Sequence, residues 1–331
     1  MNLDRQLKVI NKPALKSFQT EYGDIVDCID IYKQLAFDHP MLKNHTIQMK
    51  PKTAPEEAGN EATSTVYKSS PYMPKNIKCP PGSVPIKRAT REDLMMAKSM
   101  NPQCLSITSG NFGARASISI WNPSVNENQL SCGGMWIANG LGDKLNSIQT
   151  GWIADAYQST GCFNTLCPGF VQVNPDVVLG LVLPHSVVNG SEFDVLLSFY
   201  QDKASGHWWL MVEDKYVGYW PRVVIPVPAG GAAFVSWGGE VYSPLNVPSP
   251  AMGSGNFPVD AFGANHGRTA YVRLIKVVTD EKDSTKFEDP KLEAIKVWAD
   301  KPACYTAKDF VDDVPGWGFQ VYFGGPGICT F

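Results

Sequence analysis

The feature that most constrains the fold is a series of short segments in which apolar and polar residues alternate. In residues 116–120, alanine and isoleucine alternate with serine. This period of two places the apolar side chains on one face of a β-strand. Further short segments are rich in aromatic and β-branched residues, with glycine, proline and asparagine between them: residues 193–200, 207–212, 216–220, 234–242, 271–278 and 318–323. Because no helical crossover patterns separate these segments, the sequence predicts an all-β, antiparallel sandwich or barrel.

Composition divides the chain into two regions near residue 100. Residues 1–100 hold 15 Lys and Arg against 11 Asp and Glu, a net charge of +4, whereas residues 101–331 hold 14 against 21, a net charge of −7. All nine tryptophans lie in the second region. Residues 51–85 contain seven prolines among lysine, serine and glutamate, which predicts an extended tether. We therefore expect a small, largely irregular amino-terminal region, residues 1–100, followed by a β domain, residues 101–331.

Composition and motifs argue against several classes of protein. The chain has no run of about 18 apolar residues, so we expect no membrane span. The β region has no basic patch with interleaved aromatic residues, so we expect no nucleic-acid partner. No second close cysteine pair or histidine cluster completes a zinc set, so we expect no metal and no cofactor. His207 has no second histidine near it in the sequence, and we interpret it as a structural histidine.

Cysteines and glycosylation motifs indicate an oxidising route. The chain has eight cysteines and two N-glycosylation sequons, at Asn44 and Asn189. The first residues lack the apolar stretch of a signal peptide, so we expect that the sequence lacks its leader, either by processing or by truncation. The predicted location is secreted, extracellular or vacuolar.

Two segments that are far apart in the sequence each carry one polar side chain close to a glycine. In residues 146–152, read as a strand, Gln149 faces one way while Ile148 and Trp152 face the other. In residues 237–241, Glu240 shares its face with a glycine, opposite Trp237. A carboxylate that faces an amide across a groove has the groups needed to activate water against a peptide bond.

Several strings of uncommon residues, in one order, resemble the neprosin family of glutamic peptidases. The strings are GDIVDCIDIY (23–32), AFDHP (36–40), LKNH (42–45), IWNP (120–123), DAYQ (155–158), TGCFN (160–164), GFVQ (169–172), GHWW (206–209), GYWP (218–221), WGGEV (237–241), MGSG (252–255) and YFGGPG (322–327). The resemblance implies a β-sandwich of two antiparallel sheets with an extended cleft. It implies an endopeptidase that cleaves after proline in acid, as in secreted plant proteins. It also makes residues 1–100 an activation peptide that inhibits its own β domain.

The resemblance assigns roles to individual residues, with one departure from the family. Glu240 matches a catalytic glutamate, but Gln149 stands where the family has its other catalytic glutamate. Glu240 is then the general base for water, and Gln149 stabilises the oxyanion. The expected cleft wall contains Trp152, Tyr219 and Trp237.

Cysteine pairings also follow from the resemblance. It favours the disulfides Cys28–Cys79, Cys162–Cys167 and Cys304–Cys329, and it leaves the pairing of Cys104 and Cys132 open.

Two functional hypotheses remain. In the first, the chain is a monomeric peptidase whose partners are a peptide or protein substrate and its own activation peptide. The attraction between the +4 and −7 regions then fades in acid as carboxylates are protonated. In the second, Gln149 marks a catalytically inactive module that binds peptide or glycan in the extracellular space. A second departure supports it: residues 152–154 lack the extra strand and hairpin that the family usually has after this tryptophan.

Overall fold

The structure is a computed structural model that describes residues 3–55, 77–90, 105–126, 128–139, 146–154, 165–225, 231–279 and 286–330. Within these residues the chain forms one α-helix, several short 3₁₀ helices and sixteen strands. The α-helix is α1, Leu3–Ile10, and the 3₁₀ helices are Leu35–Asp38, Pro40–Leu42 and Leu292–Ala294. The strands are β1 Ala14–Gln19, β2 Ile25–Asp30, β3 Ser83–Lys87, β4 Leu105–Asn111, β5 Gly113–Ser119, β6 Leu130–Asn139, β7 Asn146–Ala154, β8 Val171–Gln172, β9 Asp194–Gln201, β10 Trp208–Val212, β11 Lys215–Trp220, β12 Ala232–Tyr242, β13 Ala270–Val278, β14 Ile295–Lys296, β15 Thr306–Val311 and β16 Phe319–Gly324.

Two antiparallel sheets make up the β domain. The larger sheet has the order β15-β16-β13-β5-β9-β10-β11-β8, and the smaller has the order β14-β4-β12-β6-β7. Every segment that alternates in the sequence lies largely within a strand of these sheets. The prediction of an all-β, antiparallel sandwich is therefore confirmed.

The core lies between the two sheets and follows the alternation of each strand. Trp237 and Ile137 on the five-stranded sheet belong to one buried cluster with Phe199, Trp208 and Val321 on the eight-stranded sheet. Burial of one large apolar side chain stabilises a fold by roughly 1.5–3 kcal/mol. The two sheets are therefore held together mainly by the apolar side chains of their inner faces.

The amino-terminal region is largely irregular, as the sequence predicts, but it also contains a few regular elements. Besides α1 it contains a three-stranded sheet in the order β1-β2-β3, to which the disulfide Cys28–Cys79 is attached. Strand β3 includes the last residues of the predicted tether, 51–85, and Val84 within it is buried. The tether prediction is therefore wrong at its carboxyl end, because backbone pairing with β2 and the disulfide hold this stretch in a sheet. The predicted boundary at residue 100 lies outside the described residues.

Part of the amino-terminal region packs on the eight-stranded sheet. Residues 34–54, called here the docking segment, place Ala36 and Leu42 in a cluster with Val171, Trp209 and Tyr219. These three residues point away from the core, since their strand neighbours fill it. The docking segment therefore covers the outer face of the eight-stranded sheet at the end formed by β8, β11 and β10.

The remaining predictions about cysteines and surface motifs have mixed outcomes. The disulfide Cys304–Cys329 is present, as predicted. Cys167 is also disulfide-bonded, but its predicted partner Cys162 lies outside the described residues. Asn44 and Asn189 are both exposed, as an acceptor for glycosylation has to be. Among the described residues, no helix has the length and apolar character needed to cross a membrane.

Close packing between the sheets predicts that Gly239→Ala destabilises the fold. A Cβ atom at Gly239 would lie 2.7 Å from the Met252 sulfur and from ring carbons of Phe323. We expect a loss of roughly 1–3 kcal/mol in the free energy of unfolding, measured by urea denaturation. The control is Gly190→Ala, whose added Cβ would approach exposed Val187 no closer than 3.2 Å. Equal midpoints for Gly239→Ala and the unchanged protein would contradict this packing.

Candidate functional site

Three neighbouring strands, β12, β6 and β7, carry both polar residues that the sequence singles out. Glu240 in β12 is paired with Cys132 in β6, and Cys132 is paired with Ile153 in β7. Residues paired directly across antiparallel strands point to the same face. Trp237 lies an odd number of positions from Glu240 and points into the core. Glu240 therefore belongs to the outer face of the five-stranded sheet.

Gln149 lies on that same outer face, in a second row across the strands. Ser236 in β12 is paired with Trp136 in β6, and Trp136 is paired with Gln149 in β7. Ser236 and Glu240 are an even number of positions apart in β12, so the two rows share one face. The structure thus brings the carboxylate and the amide to one surface of one sheet.

A row of three glycines separates these two rows. Gly238 is paired with Gly134, and Gly134 is paired with Gly151. Gly238 and Gly151 have φ angles of 142° and 156°, a backbone conformation that favours glycine. A Cβ atom built on Gly238 would meet no described atom within 4 Å. The outer face therefore has a strip without side chains between the row of Glu240 and the row of Gln149, called here the glycine trough.

The register also sets the separation of the two polar residues. Two strand spacings of about 4.8 Å and four residues of about 3.3 Å each lie between Glu240 and Gln149. On a flat sheet their Cα atoms are then about 16 Å apart. Both side chains have to lean along the strands to act on one group. This geometry favours a substrate chain over the trough rather than direct contact between the two heads.

The two polar side chains have different surroundings. Glu240 is 0% exposed, whereas Gln149 is exposed. Cys132 and Ile153, in the row of Glu240, belong to a small apolar cluster on this face together with Trp136. A buried ionisable side chain is uncommon in a fold, and such groups are found disproportionately at functional sites.

Trp136 is a further residue of this face that the sequence did not single out. It is buried, and its indole Nε1 has no hydrogen-bond acceptor among the described residues. It is paired directly with Gln149, so the two residues are neighbours on this face. Trp136 and Cys132 are an even number of positions apart in β6, which is the sequence signal that places them on one face.

The three residues expected in the cleft wall lie elsewhere. Trp152 and Trp237 belong to the core between the sheets, and the Trp152 indole donates to the Ser119 carbonyl at 2.7 Å. Tyr219 is buried on the eight-stranded sheet beneath the docking segment. The cleft-wall assignment is therefore corrected, because strand alternation turns Trp152 and Trp237 into the core and Tyr219 belongs to the other sheet.

A second polar cluster lies under the docking segment. His45 Nε2 is 2.8 Å from the Tyr219 hydroxyl, and the His207 ring stacks on Tyr219 with 5.0 Å between ring centroids. Burial, followed by the neighbouring His45, lowers the pKa of His207 to about 4. Burial also lowers the pKa of His45. The contact between the amino-terminal region and the β domain therefore contains two imidazoles whose surroundings favour the neutral form.

A buried ion pair lies on the eight-stranded sheet. Arg273 donates to Asp194 at 2.7 Å, and the Tyr271 hydroxyl donates to the same carboxylate at 3.1 Å. His266 lies 3.3 Å from Glu192 nearby. Among the described residues, no group of three or more His, Cys, Asp or Glu side chains is arranged to hold a metal ion.

Two family models match the chain. The model described as Neprosin matches residues 116–326, more than half of the chain. The model described as Neprosin activation peptide matches residues 17–118. The first match includes the three strands that carry Glu240, the glycine trough and Gln149. The second includes β2, β3, the end of β1 and the docking segment. The resemblance found in the sequence strings is thus confirmed by both matches.

Proposed function

The chain belongs to the neprosin family, and we propose that it is a secreted peptidase whose general base is Glu240. The observation that carries the proposal is the enclosed Glu240 carboxyl on one face with Gln149, across a strip without side chains. The activation-peptide match supports an inhibitory role for the amino-terminal region. The exposed sequons at Asn44 and Asn189 support secretion.

In the proposed mechanism, Glu240 and Gln149 act on opposite sides of a bound peptide. Glu240 takes a proton from water and later returns it to the leaving nitrogen. Gln149 stays neutral at every pH and donates from its amide to the developing oxyanion. One such donor contributes roughly 3–4 kcal/mol to transition-state stabilisation. A family glutamate at this position would supply a proton, whereas Gln149 supplies only a hydrogen bond.

We propose that the substrate backbone binds in the glycine trough. An extended peptide can approach the sheet closely only where no side chain projects, and Gly238, Gly134 and Gly151 supply that strip. The proposed cleavage after proline, in acid, rests on the family relation. The substrate is a peptide or an unfolded protein segment, and we propose that the chain acts as a monomer.

The alternative is a catalytically inactive module that binds peptide or glycan on the same face. The observations in its favour are the uncharged Gln149 and its offset of four residues from the row of Glu240. Binding to the trough with no turnover would distinguish this alternative from the peptidase.

The first prediction from the mechanism concerns the carboxylate. Glu240→Gln removes the base while keeping the shape of the side chain, so kcat falls by about 10²- to 10⁴-fold. The assay is cleavage of a proline-containing peptide by the purified protein between pH 2 and 8. The control is Glu293→Gln, the same chemical change at an exposed position, which leaves kcat unchanged. Full activity of Glu240→Gln would remove Glu240 from the chemistry.

The second prediction concerns the amide. In the unchanged protein Glu240 is the only ionisable group of the proposed mechanism, so kcat rises with pH through a single titration. Gln149→Glu adds a carboxyl that has to be protonated to act, so the plot of kcat against pH becomes bell-shaped. The measurement is kcat against pH for both proteins. A bell for the unchanged protein that persists in Glu240→Ala would contradict the assignment of roles.

The third prediction concerns Trp136. Trp136→Phe keeps an aromatic ring and removes the indole N–H of the residue that is paired with Gln149. If that N–H supports the oxyanion, kcat falls by about 10²-fold with little change in KM. The control is Trp237→Phe, which removes another indole N–H from the same sheet but on the core face. Equal kcat values for the two variants, both folded by circular dichroism, would show that Trp136 has only a packing role.

A further inference from the structure

The docking segment and the catalytic face lie on opposite sides of the sandwich. The segment covers the outer face of the eight-stranded sheet, whereas Glu240 is on the outer face of the five-stranded sheet. At the start of the segment, Gln34 and Gln172 exchange two hydrogen bonds of 2.8 and 2.9 Å, one in each direction. Amides do not titrate, so this end of the contact is independent of pH.

The far end of the segment is held by one buried carboxylate. Asp202 is 0% exposed and accepts hydrogen bonds from Gln48, Lys52 and Thr53 of the docking segment. Burial acts to raise the pKa of Asp202, but hydrogen bonds from Ser205 and from these three residues outweigh it and lower the pKa to about 2. Asp202 therefore keeps its charge through ordinary acid conditions, so its own protonation does not release the segment there.

Between these two ends, the contact depends on neutral imidazoles. The Tyr219 hydroxyl accepts from the Gln48 backbone N–H at 3.0 Å, which leaves its own proton to donate to His45 Nε2. His207 Nδ1 accepts from the Arg222 backbone N–H at 3.2 Å, which requires that nitrogen to be unprotonated. The two imidazole centroids are 5.5 Å apart. Protonation of both rings would place two positive charges side by side. It would also break the hydrogen bond from the Arg222 backbone N–H to His207 Nδ1.

We propose that His45 and His207 form an acid-opened latch, in which protonation of the two rings releases residues 45–54 from the β domain. This inference concerns docking alone and holds whether or not Glu240 catalyses. It also revises the expectation that acid releases the segment by protonating carboxylates, because the carboxylate at this contact is the group that resists protonation.

The charged groups around the two rings set the direction of the effect. From the docking segment, His45 and Lys52 disfavour a charge on His207; from the β domain, Arg222 disfavours it and Asp202 favours it. Burial and these cations together lower the pKa of His207 from 6.5 to about 4. Burial raises the pKa of Tyr219 to about 12, so this hydroxyl stays protonated.

The sign of the pH dependence follows from the lowered pKa. With the segment released, His207 takes up a proton near the ordinary histidine pKa of about 6.5, whereas with the segment docked its pKa is about 4. Docking is therefore strongest above pH 6.5 and weakens as the pH falls to about 4. The lowering of the His207 pKa alone corresponds to a change of roughly 100-fold or more in the docking equilibrium constant. Because solvent screens charges at this half-buried site, we expect the docking equilibrium constant to change by about tenfold or more.

The test is hydrogen–deuterium exchange on the full chain at pH values from 7 to 3.5, corrected for the intrinsic exchange rate. Protection of residues 45–54 falls by about tenfold or more between pH 6.5 and 4, while protection of β9 in the sandwich does not. In His45→Gln the fall is smaller, and in the double variant with His207→Gln it is absent. The control His185→Gln, at an exposed histidine, behaves as the unchanged protein.

Two results would overturn the latch. One is an unchanged protein that keeps full protection of residues 45–54 at pH 4, or loses it together with β9. The other is a double variant that loses protection over the same pH range as the unchanged protein. Should the double variant fail to fold, His45→Gln alone decides, since a fall equal to that of the unchanged protein contradicts the proposal. Peptide cleavage is not measured in any arm, so loss of the proposed peptidase function would not affect the outcome.

Discussion

The alternation of one strand, β12, determines where the chemistry of this protein can lie. Trp237 is fully buried between the two sheets, and removing so large an apolar surface from water fixes the orientation of the strand. Because successive side chains alternate, Glu240 is then forced onto the outer face. The same rule, carried through the pairing with β6 and β7, aligns the glycine trough and Gln149 on that face. A slip of one residue in this register would put the carboxylate into the core and the tryptophan into solvent.

Much of this arrangement follows from the sequence, and the parts that do not have physical reasons. The alternating segments predict the strands and the antiparallel sandwich, and the family strings place Glu240 and Gln149. The sequence does not show which strands are neighbours, so the glycine trough and Trp136 appear only with the pairing of β6. The three aromatic residues expected in the cleft are misplaced, since an aromatic on a two-faced sheet can serve the core, a cleft or a docked segment equally well. The sequence does not reveal strand β3, because the strand contains a proline and lies far from β2 along the chain. The disulfide Cys28–Cys79 supports the pairing of the two strands.

The face proposed for catalysis and the surface that binds the docking segment belong to different sheets. The face of Glu240 belongs to the five-stranded sheet, and the docking segment lies on the eight-stranded sheet, with the aromatic core between them. The latch therefore senses acid without contacting the carboxylate that the mechanism uses. Its response differs in range from that of Asp202, which stays charged well below the pH at which imidazoles titrate. Net charge alone, +4 against −7, predicts attraction between the regions but not which groups release them.

The most direct measurement is a crystal structure of the Glu240→Gln protein with a bound peptide that contains proline. The proposed function predicts that the peptide backbone runs over Gly238, Gly134 and Gly151, with a carbonyl oxygen within hydrogen-bond distance of the Gln149 amide and a water beside position 240. A peptide bound only to the aromatic surface around Trp209 and Tyr219, with the trough empty, would contradict the central claim.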